Sequence, residues 1–285
     1  MKKKERITIV ILIVLFISGL SLLLYPTVAN FINTKNQSRA IVEYAEQAEE
    51  ISEEEYAKYL KEAEEYNARI LQRENLFAPS DEDEKLYPSL LNLTDRGIMG
   101  YVEIPAIDIR LPIYHGTSDS VLAIAVGHLP WSSLPVGGDS THCVISGHRG
   151  LPSADLFTHL DKLVVGDVFM INVLNEQLTY EVDQILIVEP QDSEALQVVE
   201  GQDYCTLLTC TPYGINTQRL LVRGHRIESE GKPKTVTITS EAMQVEPMVS
   251  AAVVGVPVLI ILMIVEIIRS NITVKSSVKK EEENE

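Results

Sequence analysis

The stretch that decides the fold is TLLTCTPYGINTQRLLVR, residues 206–223. Two apolar runs flank a turn rich in Pro, Gly and Asn, which is the pattern of a β-hairpin. Cys210 ends the first run and Arg219 begins the second, so the hairpin carries a thiol and a guanidinium at one end. Upstream, His148 follows a separate β-like run, residues 143–146. Cysteine, histidine and arginine at strand ends are the parts of a thiol acyl-transfer site.

Short β-like runs separated by turn signals recur between residues 97 and 227. No long periodic helix interrupts them, so the pattern favours an antiparallel barrel or sandwich over a parallel sheet. The runs are YVEI, LPIYH, HCVIS, VFMINVL, LTYEVDQILIV, CTLLTC and RLLVRGHRI.

The TLxTC motif, followed nine residues later by the arginine of an NTxRLxVRG segment, resembles the sortase family. Three further stretches look like class C, the pilus-building branch of that family. They are GYVEIPAIDIRLPIYHGTS from Gly100, GHLPWSSLPVGGDSTHCVISGHRGLPSADLF from Gly127, and LDKLVVGDVF from Leu160. The resemblance covers residues 92–227 and implies a mainly β fold, an eight-stranded sortase barrel with short helices, over residues 92–228.

The chemistry of each residue type indicates a role in such a site. Cysteine is nucleophilic as the thiolate, a minor species of an ordinary cysteine at neutral pH, so the nucleophile needs an activating neighbour. We assign Cys210 as the nucleophile that forms a thioester and His148 as the general acid and base. Arg219, a permanently charged planar donor, is assigned to the substrate or the oxyanion. The sortase resemblance implies the same three roles.

Two other cysteines compete with this assignment. Cys143 lies beside His142, but adjacent residues of a strand point to opposite faces, which makes that pair a poor dyad. Cys205 lies five residues before Cys210 and is therefore expected on the opposite face of the strand. A disulfide between Cys143 and Cys205 stays open, because spacing in the sequence does not establish pairing.

Other basic side chains are expected outside the site. Arg223 is four residues beyond Arg219, which is about 13 Å along an extended strand, and Arg226 is farther still. The remaining histidines lack metal-ligand spacing, so we expect surface or structural roles, no metal site and no cofactor. These are His115, His128, His159 and His225.

Charge and hydropathy place the chain at a membrane. A formal net charge of −17 argues against a nucleic-acid partner, which would need a basic face. Residues 7–25 and 248–268 are long apolar stretches that predict two transmembrane helices flanking the barrel. Basic residues in the tails 1–6 and 269–285 predict that both termini are cytoplasmic and that the catalytic domain is extracellular. A cleaved signal peptide is the alternative for the first stretch.

The segments between the spans and the barrel are polar. Residues 38–75 are acidic with helical spacing of apolar residues, and Ser52 with Glu55 reads as a capping box that begins a second helix. Residues 76–91 are expected to form a loop. Resemblance to class C sortases implies a lid here, with Phe77 and Asp81 as its candidate contacts, although the usual Asp-Pro-aromatic signature is missing. Residues 229–247 read as a polar linker.

The sequence therefore predicts a membrane-anchored cysteine transpeptidase of a Gram-positive cell. The resemblance implies that it cleaves an LPxTG-like sorting signal of a pilin or surface protein between Thr and Gly. It further implies transfer of the acyl group to a pilin lysine. Three alternatives stay open: a housekeeping sortase that uses a cell-wall precursor, a cysteine peptidase that releases free acid, and a membrane-tethered surface-binding protein without chemistry.

Overall fold

The structure is a computed structural model that describes residues 3–73 and 78–228, without the side chains of residues 3–10. The described part of the chain divides into two compact units, one that includes residues 3–29 and a second that begins at residue 30. The second unit contains the β-barrel and the helices packed against it. The predicted linker 229–247, the second apolar stretch 248–268 and the tail 269–285 lie outside the described residues.

Helix α1, Lys3–Glu50, is continuous, whereas the sequence predicted a membrane span and a separate acidic helix. It continues through Pro26, and between Pro26 and Glu50 the chain has no glycine that would end it. Within the described residues, α1 is the one helix long and apolar enough to cross a membrane, with a mean hydropathy of 2.3 over its most apolar window.

The C-terminal part of α1 packs against the barrel through Tyr44. The Tyr44 hydroxyl donates to the Met99 carbonyl at 2.7 Å and accepts from the Leu174 N–H at 2.8 Å, so it links the first strand of the barrel to the turn that follows the fifth strand. Apolar side chains surround this contact: Ile41, Ala48, Ile98 and Tyr101. The helix is therefore held at this end by burial together with satisfied hydrogen bonds.

Helix α2, Glu53–Leu71, begins at the predicted capping box. The Ser52 side chain accepts from the Glu55 N–H at 3.2 Å, and the Glu55 carboxylate accepts from the Ser52 N–H at 3.0 Å. On the buried side of α2, Asn67 accepts from the Leu134 N–H at 2.7 Å and donates to the Leu134 carbonyl at 3.3 Å. This reciprocal pair attaches α2 to the loop that precedes the fourth strand of the barrel.

The segment predicted as a loop, residues 76–91, contains a short helix. Helix α3, Asp81–Leu86, begins at Ser80, whose side chain accepts from the Asp83 N–H. Four acidic residues in its first turn favour the helix because they interact with its positive end. A single turn of 3₁₀ helix, Tyr87–Ser89, follows. The loop prediction was therefore wrong for this part of the segment, since the capping residue outweighed the turn formers.

Eight strands form the closed barrel predicted from the sequence. Seven of them coincide with the predicted β-like runs, and β3 was not among those runs. The fourth helix, α4, Asp119–Leu122, is short and precedes β3. The strands are β1 Ile98–Ile104, β2 Ile109–His115, β3 Val126–His128, β4 Thr141–Ser146, β5 Val168–Val173, β6 Glu176–Val188, β7 Asp203–Thr211 and β8 Gln218–Ile227.

The order of strands around the barrel is β1-β2-β3-β4-β7-β8-β6-β5. Two of the neighbouring pairs, β2 with β3 and β4 with β7, are parallel, whereas the sequence pattern favoured an antiparallel arrangement throughout. The parallel pairs arise where the chain crosses over instead of returning through a hairpin. The β4–β7 pair matters for function because it brings together two distant parts of the chain.

Candidate active site

The three residues assigned to chemistry belong to three adjacent chain segments, two strands and the residues that follow a third. Cys210 is in β7, Arg219 is its direct partner in β8, and β4, whose end precedes His148, is the other neighbour of β7. Directly opposed residues of an antiparallel pair have Cβ atoms about 5 Å apart and point to the same side of the sheet. Cys210 and Arg219 therefore share one face.

That face is the outside of the barrel. Along β7, Cys205, Leu207 and Thr209 are buried in the interior, and Cys210 is half-exposed. Because side chains alternate along a strand, Cys210 points outward and Cys205 inward, as the sequence predicted. Arg219 is half-exposed too, between the turn and the buried Leu220.

His148 continues the line of β4 beside Cys210. The Gly147 N–H donates to the Leu208 carbonyl at 3.0 Å, and the Thr209 hydroxyl donates to the Gly147 carbonyl at 2.7 Å, so the pairing extends past the end of the strand. A Cβ on Gly147 would lie 2.7 Å from the buried ring of Phe157, so Gly147 faces the interior. His148, the next residue, faces outward on the same side as Cys210.

Arg219 is held at the turn between β7 and β8. Its Nη1 donates to the carbonyls of Asn216, at 3.4 Å, and Gln218, at 3.1 Å. A guanidinium has five N–H donors, so these two bonds leave donors on Nε and Nη2 for a further partner. The side chain is thus positioned at the level of Cys210 by its own turn.

The competing thiols point into the barrel. Cys143 and Cys205 are direct partners in the β4–β7 pair, both are free, and both are buried. Burial raises the pKa of the Cys205 thiol well above its usual value, which opposes thiolate formation. Neither thiol is accessible to a peptide, so the interior pair has a structural role.

His142 lies on the opposite face of β4 from Cys143, as predicted, and is locked in place. One ring nitrogen lies 2.8 Å from the Gln197 carbonyl and the other 2.7 Å from the Thr206 hydroxyl. Burial lowers the pKa of His142 to about 4, so the ring is neutral at physiological pH and both nitrogens are engaged. His142 is therefore a structural group that joins β4 to the loop containing Gln197 and to Thr206 of β7.

We expect His142 to make the folded state sensitive to acid. The unfolded chain takes up a proton near pH 6.5, whereas the folded protein resists protonation until about pH 4. The contribution of His142 to the free energy of unfolding is therefore complete above pH 6.5 and is lost as the pH falls toward 4. Between about pH 7.5 and 4.5 this loss amounts to roughly 2–3 kcal/mol.

Thermal unfolding of the wild type and of His142→Gln at these two pH values measures this contribution. The variant should be less stable than the wild type at the higher pH, and the gap in Tm should narrow at the lower pH. An equal gap at both values would contradict a lowered pKa for His142. Comparison of the two proteins cancels the acid titration of carboxylates elsewhere in the chain.

Most of the basic side chains expected outside the site are engaged by other partners. Arg223 forms an ion pair with Asp183 at 2.8 Å and lies over the Tyr204 ring. Arg226 lies over the Tyr180 ring. His115 is bonded between the carbonyls of Gly97 and Leu90, and burial lowers its pKa. His159 is exposed and His225 is half-exposed. Neither arginine is available to a group bound at Cys210.

Sequence reasoning missed two anchoring residues near the predicted lid. The Asp83 carboxylate is buried and accepts from Arg73 at 2.9 Å, whereas Asp81, the predicted contact, is exposed. The Tyr87 hydroxyl lies 2.8 Å from a ring nitrogen of His128 inside the barrel. The acidic run and the isolated aromatic were visible in the sequence, but their burial was not. Phe77 lies outside the described residues.

A cluster of apolar side chains, buried or partly buried under the flanking loops, lies beside the reactive groups on the outer side of the barrel wall. Leu208 lies two residues before Cys210, and its direct partner Leu221 lies two residues after Arg219. They pack with Val144, Leu196 and Trp131, which come from β4 and from the flanking loops.

Within the described parts of the chain, no group of three or more His, Cys, Asp or Glu side chains is arranged to hold a metal ion.

A closed barrel that presents a thiol, an imidazole and a guanidinium on one outer face has the arrangement that thiol acyl transfer requires. A family model described as the sortase domain matches residues 102–227. The crystal structure of sortase C1 from Streptococcus agalactiae is 50% identical, with a TM-score of 0.65, and covers 67% of this chain and 100% of that one. The chain belongs to the sortase family.

Two further relatives agree with this membership. Sortase C of Streptococcus pneumoniae, whose structure was described for its insights into catalysis and pilin substrate specificity, is 44% identical with a TM-score of 0.61. That alignment covers 69% of this chain and 99% of the other. Sortase D of Bacillus subtilis is 30% identical over 131 residues, 45% of this chain and 63% of that protein. The chain thus spans less than two thirds of the length of that curated relative.

Proposed function

We propose that this protein is a membrane-anchored cysteine transpeptidase that cleaves an LPxTG-like sorting signal between Thr and Gly and joins the Thr carbonyl to a pilin lysine. One observation carries the proposal: Cys210 and Arg219 are direct partners in the β7–β8 pair, and His148 follows the strand on the other side of β7. Membership of the sortase family and similarity to sortase C structures support it.

In the first half of the reaction, the Cys210 thiolate attacks the Thr carbonyl carbon. The C=O electrons move onto the oxygen, and the resulting oxyanion accepts hydrogen bonds from Arg219. When the tetrahedral intermediate collapses, the C–N bond breaks and the His148 imidazolium gives its proton to the leaving Gly amine. The products are a thioester on Cys210 and the released C-terminal fragment.

In the second half, a lysine amine replaces the departed fragment. Neutral His148 takes a proton from the attacking amine as the new C–N bond forms, and Arg219 again stabilises the oxyanion. Collapse expels the Cys210 thiolate and leaves an isopeptide bond. Transfer rather than hydrolysis requires that the amine reaches the thioester faster than water does.

The partly exposed edge of the apolar cluster beside the reactive groups fits the apolar part of a sorting signal. Leu208 lies on the same outer face as Cys210, two residues along β7, and is partly exposed like Trp131, whereas its strand partner Leu221 is buried. We assign to Leu208 and Trp131 the contacts with the Leu and Pro side chains of LPxTG. Their burial supplies binding energy while the polar Thr-Gly peptide bond lies over Cys210.

The proposal includes two membrane spans and an extracellular barrel. The apolar part of α1 has the length and hydropathy of a span, and residues 248–268 form a second apolar stretch in the sequence. Basic tails on both sides favour cytoplasmic termini. Surface proteins emerging from the membrane would then meet the enzyme outside the cell, where their sorting signals become accessible.

We also propose that the start of the segment 76–91 is a lid over the site, with Phe77 and Asp81 as candidate contacts. The ion pair of Asp83 with Arg73 fixes the segment from α3 onward. Tyr87, Leu90 and Leu91 belong to the barrel core. Deletion of the whole segment would therefore unfold the protein, and a test of the lid requires substitutions at Phe77 and Asp81.

Competition between acceptors tests the proposed function. The full-length protein in detergent micelles is incubated with an LPxTG peptide and, separately, a pilin domain with an accessible lysine, an amine that mimics a cell-wall precursor, or no amine. Mass spectrometry follows the products. We expect cleavage between Thr and Gly and an isopeptide product with the pilin domain that exceeds free acid.

The other outcomes identify the alternative functions. Preferential transfer to the cell-wall amine would indicate a housekeeping sortase, and free acid in all reactions would indicate a peptidase. Peptide that stays intact with every acceptor would leave a non-enzymatic binding role. A pilin domain whose lysines are all replaced by arginine is the matched control, because it keeps the charge but offers no primary side-chain amine.

A further inference from the structure

Arg149, the residue after His148, makes contacts that no catalytic assignment uses. Its side chain is only 9% exposed. Nη2 donates to the Asp161 carboxylate at 2.5 Å, Nη1 donates to the Thr211 hydroxyl at 3.3 Å, and the guanidinium lies 5.8 Å from the centre of the Tyr213 ring. We call these four residues, Arg149, Asp161, Thr211 and Tyr213, the Arg149 clasp.

The Arg149 clasp joins the two halves of the proposed site. Arg149 follows His148 directly, Thr211 follows Cys210 directly, and Tyr213 lies in the turn that leads to Arg219. Asp161 comes from the 3₁₀ turn Leu160–Lys162, which is separate from strands β4, β7 and β8. One guanidinium thus connects the segment that carries the imidazole with the segment that carries the thiol.

The chain beside Arg149 is adapted to this contact. Gly150 has φ +77°, a conformation that strains other residues, and a Cβ there would lie 3.0 Å from the Tyr213 ring. A side chain at this position would push the ring away from Arg149. The tight turn after His148 and the stacking of Tyr213 are therefore parts of one arrangement.

The energetics of the Arg149 clasp point to positioning rather than to stability. Burial of a guanidinium costs several kcal/mol, and the attraction to one carboxylate recovers that cost only when the other donors are satisfied. Within the described residues, Nε of Arg149 is buried without a hydrogen-bond partner. Asp161 is itself 45% exposed, which weakens the ion pair by solvent screening.

We propose that Arg149 is a positioning residue that holds the His148 imidazole at the working distance from the Cys210 sulfur. The inference rests on the proposed function, since it takes those two groups as the acid-base and nucleophile pair. Proton transfer between His148 and the amine that leaves or attacks the acyl group held at Cys210 depends steeply on the position of the imidazole, and displacement by about 1 Å can cost about 100-fold in rate. Arg149 acts through His148 and does not touch the substrate.

The test uses full-length protein in detergent with Arg149→Ala, Arg149→Lys and Arg223→Ala. Arg223 is the matched control because it too pairs with an aspartate and lies over a tyrosine ring, but far along the strand from Cys210. We expect Arg149→Ala to lower kcat for the LPxTG peptide about 100-fold with little change in KM. The kcat of Arg149→Lys should lie between those of the wild type and Arg149→Ala, because an ammonium group cannot donate to both Asp161 and Thr211 as the planar guanidinium does. Arg223→Ala should lower Tm but leave kcat unchanged.

A double-mutant cycle separates positioning from a general loss of structure. The rate of Cys210 alkylation by iodoacetamide is measured for the wild type, Arg149→Ala, His148→Ala and the double variant. If Arg149 acts through His148, its substitution has little further effect once the imidazole is gone. The inference would be overturned if the two substitutions lowered the alkylation rate independently, so that their separate factors multiplied in the double variant. It would also be overturned if Arg223→Ala lost as much kcat as Arg149→Ala.

The cycle also distinguishes failure of the positioning role of Arg149 from failure of the proposed function. Alkylation needs no peptide substrate, and Cys143 and Cys205 are buried, so the reagent reports on Cys210 in the folded protein. If the wild type does not cleave the peptide, the proposed function fails and the cycle still measures the coupling. If the wild type cleaves the peptide and the cycle shows no coupling, only the positioning role fails.

Discussion

Replacement of Cys210 by alanine is expected to reduce peptide cleavage and transfer by a factor on the order of 10⁴ or more. In the proposed mechanism the thiol forms the covalent intermediate, so no other group in the site can substitute for it, and only binding and oxyanion stabilisation are left. The measurement is turnover of an LPxTG peptide by the full-length variant. A second measurement is the mass of the protein, which should show the acyl-enzyme for the wild type and none for the variant.

The two interior thiols provide matched controls for this experiment. Cys143→Ala and Cys205→Ala remove the same atom from the inward face of β4 and β7. Each leaves a small cavity in the core and should cost about 1–2 kcal/mol of stability with little effect on turnover at a temperature where the protein is folded. Retained turnover in Cys210→Ala would refute the assignment of the nucleophile.

Replacement of His148 by alanine should lower the rate of transfer between about 10²-fold and 10⁴-fold, the range for loss of a general acid and base. The Gly amine is a poor leaving group unless it is protonated, and the incoming lysine is a poor nucleophile unless it is deprotonated. Both demands fall on one imidazole. Single-turnover kinetics with the LPxTG peptide would show slow release of the Gly fragment in the variant.

His142→Ala is the control for this substitution. His142 is on the same strand and the same outer face, but its two ring nitrogens are occupied by the Gln197 carbonyl and the Thr206 hydroxyl. Its loss should lower Tm because the buried Thr206 hydroxyl and the Gln197 carbonyl lose their partner, while kcat of the folded protein should change little. A larger loss of kcat in His142→Ala than in His148→Ala would reverse the two assignments.

Local features of the fold were predictable from the sequence because their causes are local. The β7–β8 hairpin follows from two apolar runs around a turn, and the start of α2 follows from the reciprocal bonds of Ser52 and Glu55. The opposite orientation of Cys205 and Cys210 follows from the alternation of a strand. Each of these depends on residues within a few positions of one another.

Features that depend on burial were not predictable in the same way. The acidic run after Ser80 contains both an exposed residue, Asp81, and a buried one, Asp83. Only the position of Arg73, two residues after the end of α2, distinguishes them, because the buried carboxylate requires a charged partner. Likewise, β3 has three residues, too few for a periodic pattern, and it exists because its neighbours β2 and β4 supply hydrogen bonds on both sides.

By itself, the sequence determined which groups are available for chemistry and the local shape around each: a thiol at a strand end, an arginine across the turn, and a histidine after another strand. The tertiary structure decided that the segments carrying the histidine and the thiol are neighbours, because β4 and β7 pair in parallel through a crossover between distant parts of the chain. It also decided that the Arg149 side chain is buried against Asp161 and Thr211. Pairing of distant strands depends on closure of the whole barrel, whose free energy comes from burial of the common core rather than from any single segment.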